Sequence, residues 1–264
     1  MENEAFIRLT TFLGLFAVFA IIETLMPRRM KGIRRKDRWT ANIGIIIIDN
    51  IVVRALAAVL PIFAAATAAH HAHDIGFGAL NMVNLPSWLE VFIAILVLDC
   101  AIWFQHMLTH KVPFLWRLHR VHHADLAMDV TTAIRFHPIE IALSMIYKVG
   151  IVYLLGPSAF AVILFEILLN GSALFNHANI RLPLKLDQIL RRVVITPDMH
   201  RVHHSTLREE HDSNYGFFLS IWDQLFRTYI PQPKAGHDDM TIGLTWQDSR
   251  PTKLLWLLTL PFKK

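Results

Sequence analysis

The chain is poor in cysteine, in charge and in nucleotide-binding glycine motifs. Its one cysteine, Cys100, lies in an apolar run of the 264 residues. The chain therefore cannot build a disulfide framework, a cysteine-rich zinc site or an iron–sulfur cluster by itself. None of the 11 glycines forms a G-x-G-x-x-G motif, which excludes the usual dinucleotide fingerprint. Charged residues make up only 18% of the chain, against about 25% in soluble domains.

Long apolar runs make up much of the chain, and 54% of the residues are hydrophobic. A bilayer core of ~30 Å needs about 20 helical residues. Runs of that length occur at about 6–26, 42–69 and 88–106, and 139–175 reads as a hairpin broken at Gly156-Pro157. The final run, 254–262, is too short to span and is expected at the membrane interface. The sequence therefore predicts an all-α, polytopic membrane protein with four to five membrane segments.

The second run carries two charged residues, Asp49 and Arg54. Charges at membrane depth are costly unless they are paired, buried or near an interface. Pairing with each other or with a neighbouring helix is the interpretation favoured over a role in chemistry.

A basic cluster separates the first two apolar runs, and it predicts the orientation of the chain. By the positive-inside bias this short loop is cytoplasmic, and a basic groove with interleaved aromatics, as nucleic acid would need, is absent. The cluster consists of Arg28, Arg29, Lys31, Arg34, Arg35, Lys36 and Arg38.

This orientation places distant segments on one side of the membrane. If 139–175 is a hairpin, residues 106–138 and 176–250 share the cytoplasmic face and form a helical cap. The expected organisation is an N-terminal membrane part (1–86), a central domain (87–230) and an interfacial tail (231–264). A bacterial inner membrane or the endoplasmic reticulum would suit such a protein.

Histidine is abundant, with 15 residues, and ten of them lie between positions 106 and 204 in metal-ligand spacing. Residues three or four apart share one helix face, so an HxxxH pair and two HxxHH boxes each present several imidazoles together. Both boxes read His-Arg-Val-His-His. The candidate ligands are His106, His110, His119, His122, His123, His137, His177, His200, His203 and His204.

The number of imidazoles favours two metal ions rather than one. Imidazole suits zinc, copper, iron and nickel alike, but structural zinc takes four ligands and catalytic zinc three plus water. Glu-x-x-His pairs of soluble di-iron bundles and the His-Glu-x-x-His pair of zinc hydrolases are absent. An all-histidine dinuclear site at the membrane surface is predicted. Five histidines stay unassigned: His70, His71 and His73 in an outer loop, and His211 and His237 at the surface.

The order of these boxes over residues 90–230 resembles that of the fatty acid hydroxylase superfamily, which includes sterol desaturases. Further motifs similar to those of the family are Asp99 before the first box, Arg135-Phe136-His137-Pro138 with Glu140, Asn176-His177, Thr196-Pro197, Asn214-Tyr215-Gly216 and Trp222-Asp223-Gln224-Leu225-Phe226. The resemblance implies two non-haem iron ions, with zinc as a substitute, and O2-dependent hydroxylation or desaturation of a fatty acyl or sterol-like C–H bond. Some relatives carry a histidine where this chain has Ala173, so water or His137 would supply that ligand.

Several acidic residues are candidates for orienting the ligands. Asp99 shares a helical face with His106 and could orient an imidazole or relay protons; a helix–helix hydrogen bond is the competing interpretation. Glu140, Asp198 and Asp223 are weaker candidates, each with a cap or an ion pair as the alternative.

An oxygenase of this kind needs electrons, and no haem, flavin or iron–sulfur motif is found in the chain. An external ferredoxin, cytochrome b5 or reductase is expected to dock on the basic face, with Arg191 and Arg192 as contacts. Two other functions remain open: a carotenoid hydroxylase, and a non-enzymatic membrane protein that binds or transports metal.

Overall fold

The computed structural model describes residues 4–30, 34–59 and 64–263, and these residues form 13 α-helices with short 3-10 turns and no strand longer than an isolated bridge. The helices are α1 (Glu4–Leu25), α2 (Arg35–Val59), α3 (Ala65–Asp74), α4 (Ser87–Lys111), α5 (Pro113–His123), α6 (Pro138–Leu155), α7 (Ala159–His177), α8 (Leu184–Leu190), α9 (Pro197–His203), α10 (Arg208–His211), α11 (Ile221–Leu225), α12 (Gly236–Asp239) and α13 (Leu254–Thr259).

Five of the described helices, α1, α2, α4, α6 and α7, are long and apolar enough to cross a bilayer. Their outward faces carry large exposed hydrophobic side chains, such as Leu13, Ile51 and Phe160, as expected where lipid rather than water is the solvent. The prediction of an all-α polytopic membrane protein is confirmed.

The hairpin predicted at 139–175 is also confirmed, since α6 ends at Leu155 and α7 begins at Ala159. Gly156 caps α6 in the left-handed region, with φ of 66°. A Cβ there would lie 2.7 Å from the Phe77 carbonyl oxygen, so only glycine fits. The Ser158 hydroxyl then caps α7 by accepting from the Ala161 N–H. Both helix ends that carry site residues, Pro138 and His177, consequently lie at the same end of the hairpin.

The second apolar run differs from its prediction. Instead of one span at 42–69, α2 covers Arg35–Val59 and a separate helix, α3, covers Ala65–Asp74; residues 60–63 lie outside the described part. The alanine-rich face of α3 packs between α4, α6 and α7 in one buried cluster. His70, His71 and His73 therefore lie on a helix and not in a loop. His71 accepts or donates at Nδ1 to the Tyr153 hydroxyl, 2.9 Å away.

The basic cluster is partly structural rather than a free surface patch. Arg38 is only 4% exposed and lies against Asp125 and Asp129, with N···O distances of 2.6 and 2.7 Å. Arg28 pairs with Asp238, and Arg35 pairs with the buried Glu23. Lys31 lies outside the described residues. The cytoplasmic orientation that this cluster suggested stays a prediction.

The Arg38 network ties the loop after α5 to the membrane helix α2. Asp125 also accepts from the Thr132 hydroxyl, and Arg135 donates to Asn42 on α2. Burial alone would raise the pKa of Asp125, but the Arg38 guanidinium lowers it well below the ordinary value. The loop that follows the first HxxHH box is thus held by buried charge-assisted hydrogen bonds.

The C-terminal segment packs under α5 instead of extending away from the protein. Trp256, Leu257 and Leu260 are buried against α2 and α5, and Arg120 on α5 donates to the Leu260 and Lys263 carbonyls. This contact stabilises the helix that carries the first box. Its position at a membrane interface stays a prediction.

Replacement of Arg38 by alanine should destabilise the protein by about 3–5 kcal/mol, because it leaves two buried carboxylates without their partner. Thermal unfolding in detergent, followed by tryptophan fluorescence, measures the effect. Arg34→Ala is the matched control, since Arg34 is 87% exposed and its pair with Asp37 is a surface pair worth about 0–1 kcal/mol. Equal losses for the two variants would contradict a structural role for the Arg38 network.

Candidate metal centre

Nine of the ten histidines predicted as ligands converge into two buried groups. Within each group the candidate ligand atoms all lie within 4.8 Å of one another. The five-histidine group comprises His106, His110, His119, His123 and His203. The four-histidine group comprises His122, His177, His200 and His204.

Four helices deliver these side chains, and each HxxHH box contributes to both groups. Helix α4 supplies His106 and His110, one turn apart, and α7 supplies His177 from its last residue. The box on α5 divides, with His119 and His123 in the five-histidine group and His122 in the other. The box at the end of α9 places His203 in the five-histidine group and the other two histidines in the four-histidine group. The two groups therefore adjoin each other, because neighbouring residues of one helix turn belong to different groups.

Five of the nine rings are oriented from behind by a contact at Nδ1. His106 donates to the Tyr215 carbonyl at 2.6 Å, His203 to the Ser213 carbonyl at 2.6 Å and His177 to the Ala173 carbonyl at 2.7 Å. His122 approaches the Arg135 carbonyl at 3.2 Å, and His119 approaches the Glu140 carboxylate at 2.6 Å. Such partners fix the tautomer, so that Nε2 is the free ligand atom.

The Nε2 atoms then face one another at the spacing that a shared metal ion requires. The distance is 3.1 Å between His106 and His119, 3.1 Å between His122 and His177, and 3.0 Å between His177 and His200. Two nitrogens bound to one ion at ~2.1 Å and at right angles lie about 3.0 Å apart. The donor geometry fits metal coordination.

Several ring nitrogens in the groups are buried and have no hydrogen-bond partner among the described residues. They include both nitrogens of His110, His123 and His204, and Nε2 of His203. A buried polar atom without a partner destabilises a fold. A bound cation would satisfy one nitrogen of each ring, and Nδ1 of His110 also lies 3.6 Å from an Asp212 carboxylate oxygen.

Burial keeps the imidazoles in the form that binds metal. Desolvation lowers the pKa of His119 to about 3 and lowers the pKa values of His122, His123, His200 and His203 well below the ordinary value. Neighbouring imidazoles add to the effect. Neutral imidazole is the metal-binding form, so the site requires no proton release from these residues at neutral pH.

His137, the tenth predicted ligand, lies apart from both groups. Its Nδ1 accepts from the Ile139 N–H as the N-cap of α6, and its Nε2 lies 3.2 Å from the Leu258 carbonyl oxygen. The side chain therefore joins α6 to the C-terminal segment. It does not fill the place left by Ala173.

The acidic candidates occupy three different environments. Glu140 contacts His119 directly, as described above. Asp99 accepts from the Leu219 N–H at 3.1 Å and from the Trp222 indole at 2.8 Å, and so it holds a loop rather than an imidazole. Asp198 pairs with Arg201 and Arg28.

Asp223 organises the loop whose carbonyls orient the ligands. It accepts from the Tyr215 and Gly216 N–H groups and from the Trp103 indole, each at 2.9 Å. Since the Tyr215 carbonyl accepts from His106, Asp223 acts on the site through one backbone unit. Asn214, the residue before Tyr215, has a positive φ of 49°. Its side-chain amide donates to the Met199 and Ile230 carbonyls.

Two sequence interpretations about the periphery are corrected, those that placed His211 and His237 at the surface. His237 is buried, with 5% exposure, beside Asp198, and burial lowers its pKa to about 4. His211 is half-buried and stacks on Trp116, with ring centroids 5.2 Å apart, next to His110. Arg191 is engaged by Asp187 and the Tyr229 hydroxyl. Of the two arginines proposed to meet an electron donor, only Arg192 is exposed.

A mostly apolar cavity of about 260 Å³ opens beside the five-histidine group. Its walls come from α4, α6 and α7, and His106, His119 and Glu140 lie at its border. Phe136 separates it from the four-histidine group and stacks on His122, with centroids 4.5 Å apart. The lining of this cavity suits an apolar molecule that contacts the histidines at its border.

Sequence reasoning missed the residues that support the site from a distance. The Arg38–Asp125–Asp129 network links positions about 90 residues apart in the chain, and no local motif marks it. The Tyr215 and Ser213 carbonyls are backbone groups, which residue type does not reveal. A signal for Asp223 existed, since it was among the weaker acidic candidates.

Comparison with known proteins identifies the relatives of this chain. The family model described as fatty acid hydroxylase matches residues 91–228, more than half of the chain. The ornithine lipid hydroxylase of Rhizobium tropici is 27% identical over 248 residues, covering 89% of this chain and 70% of the relative. Alkylglycerol monooxygenase from Homo sapiens is 28% identical and that from Danio rerio 33% identical, covering 62% and 58% of this chain.

The chain spans only about a third of the length of those monooxygenases, 36% and 32% respectively. No solved structure matches the chain. The matched segment contains all nine converging histidines together with Glu140 and Asp223, and the chain belongs to the fatty acid hydroxylase family.

Proposed function

We propose that the protein is a membrane-bound non-haem di-iron oxidoreductase that uses O2 to hydroxylate or desaturate a C–H bond of a lipid. The observation that carries the proposal is the pair of adjoining, buried imidazole groups at the border of a cavity between membrane helices. The names of the relatives support a lipid hydroxylase or monooxygenase. Residues 87–230 are proposed as the catalytic segment, because all nine histidines lie there.

The number of ligands in the five-histidine group favours iron over zinc. Five histidines exceed the four ligands of structural zinc and the three of catalytic zinc, whereas iron accepts higher coordination with nitrogen donors. Zinc would bind as a substitute without redox chemistry. Two groups, each with four or more donors, favour one ion in each.

Bound iron would supply the redox chemistry that activates O2, with electrons from a separate donor protein. The residues of the chain position the lipid and the histidine ligands. The walls of the cavity hold the lipid with one carbon next to His106 and His119, and they exclude bulk water from the reaction. Glu140 keeps the His119 ring in place, and Asp223 keeps the Tyr215 carbonyl against His106. Hydroxylation requires two electrons and two protons besides O2, and the second oxygen atom leaves as water.

We further propose that the site faces the cytoplasm, where a ferredoxin, a cytochrome b5 or a reductase would supply the electrons. The basic residues between α1 and α2 support this orientation by the positive-inside bias. Arg192, which is exposed, is a candidate contact for that donor.

Metal analysis of anaerobically purified protein should find about two transition-metal ions per chain. His203→Ala and His204→Ala should each lower the content to about one, because these adjacent residues belong to different groups. His70→Ala, an exposed histidine on α3, is the control and should retain two. Wild-type protein with fewer than one ion per chain would be incompatible with the proposed centre.

Replacement of Glu140 by glutamine should weaken metal retention about 10–100-fold, because the His119 ring loses its charged hydrogen-bond partner. Chelator-induced metal loss, followed over time, measures this. Glu209→Gln provides the control, since Glu209 lies at the surface and pairs with Lys234. Retention equal to wild type in the Glu140 variant would show that the carboxylate does not position a ligand.

Reconstituted protein with a reductant and a membrane lipid extract should consume O2 and incorporate one atom of labelled oxygen into a lipid, or form an alkene. His203→Ala should lose this activity. Extracts containing sterols, fatty acyl lipids or carotenoids separate the substrate classes. Metal exchange across vesicles without any O2 consumption would identify a transporter and overturn the oxidoreductase function.

A further inference from the structure

Asp49, in the middle of α2, is a buried carboxylate without a partner. It is 3% exposed, and neither oxygen has a hydrogen bond or an ion pair within the described residues. Other buried acids in the membrane helices are engaged: Glu23 by Arg35 and two backbone N–H groups, and Glu166 by Lys148 and Arg8. The pairing that the sequence suggested, with Arg54, is not formed. Asp49 therefore differs from Glu23 and Glu166, which serve the fold.

The carboxylate borders a second cavity, of about 220 Å³, that adjoins the cavity beside the histidines. The two cavities share the side chains of Ala133, Phe136, Ile141, Asn170 and Ala173. Phe136 also stacks on His122. A molecule that fills both cavities would thus contact Asp49 at one end and pass the histidines at the other.

The polar lining of the second cavity offers hydrogen-bond acceptors. Asn50 and Asn170 each donate Nδ2 to a carbonyl of their own helix, that of Ile46 and that of Glu166. Their Oδ1 atoms remain as acceptors, together with both oxygens of Asp49. Lys148 lines only the first cavity and is already paired with Glu166.

A carboxylate in low-dielectric surroundings is strongly destabilised unless a cation or several donors reach it. An ammonium group brings a positive charge and three N–H donors, which matches a cavity lined by acceptors. Acidic residues inside membrane segments face cavities and mark the path of a substrate or ion. A purely hydrocarbon tail would leave these acceptors unsatisfied.

We propose that Asp49 binds a cationic amine in the polar part of the lipid substrate, so that the enzyme selects amine-bearing lipids. The inference rests on the proposed function, because it assumes that the substrate occupies the cavity beside the histidines. Asp49 acts as a specificity residue and takes no part in the oxidation itself.

The test is equilibrium binding of two probes to metal-loaded full-length protein in nanodiscs. One probe is an acyl-ornithine lipid with a free side-chain amine, and the other is the same lipid with that amine acetylated, which removes the charge. Wild type should bind the free amine about tenfold or more tightly, as a charge-assisted hydrogen bond predicts. Asp49→Asn should bind the two probes equally.

Asp37→Asn is the matched control, because Asp37 lies on the same helix and pairs with Arg34 at the surface; it should keep the wild-type preference. Metal content measured on each preparation confirms that the variant is folded. Equal binding of both probes by wild type, or an unchanged preference in Asp49→Asn, would overturn the amine site. Oxidation of other lipids by the same preparation would leave the proposed function standing, so the two failures are distinguishable.

Discussion

The site depends on hydrogen bonds that hold neutral imidazoles from behind. A buried imidazole can present either nitrogen unless Nδ1 is committed elsewhere, and in four of the nine rings a contact of 2.6–2.7 Å commits it. Carbonyls of Ala173, Ser213 and Tyr215 and the Glu140 carboxylate provide that commitment, and the Nε2 atoms are then left facing one another about 3.0–3.1 Å apart.

The supporting structure explains why membrane helices and cap form one unit. Arg38 lies on the membrane helix α2, and its guanidinium group pairs with Asp125 and Asp129, which follow the first box in the chain. The loop after the second box is held in a similar way. Asp99, on α4, accepts from the Trp222 indole, and Asp223 accepts from the Tyr215 N–H and from the Trp103 indole of α4. Each box is consequently attached to a different membrane helix, α2 or α4, by buried polar contacts.

Much of this was predictable from the sequence, and the failures have physical causes. Apolar length predicts spans, and Gly156-Pro157 predicts the hairpin that brings the boxes together. Apolar content does not reveal where one helix ends and another starts, so the sequence predicts one span at 42–69 where the structure has two helices. His137 follows the motif but is used as an N-cap, which depends on the local backbone. Arg38 reads as an orientation signal because its acidic partners are about 90 residues away in the chain.

The two copies of the repeated pentapeptide divide their imidazoles between the two groups in complementary proportions. The first box sends two imidazoles to the five-histidine group and one to the four-histidine group, and the second box sends one and two. The boxes alone would thus supply three ligands to each ion. Helix α4 then adds two histidines to one side while α7 adds a single one to the other. The membrane helices therefore make the two groups unequal, with five histidines in one and four in the other.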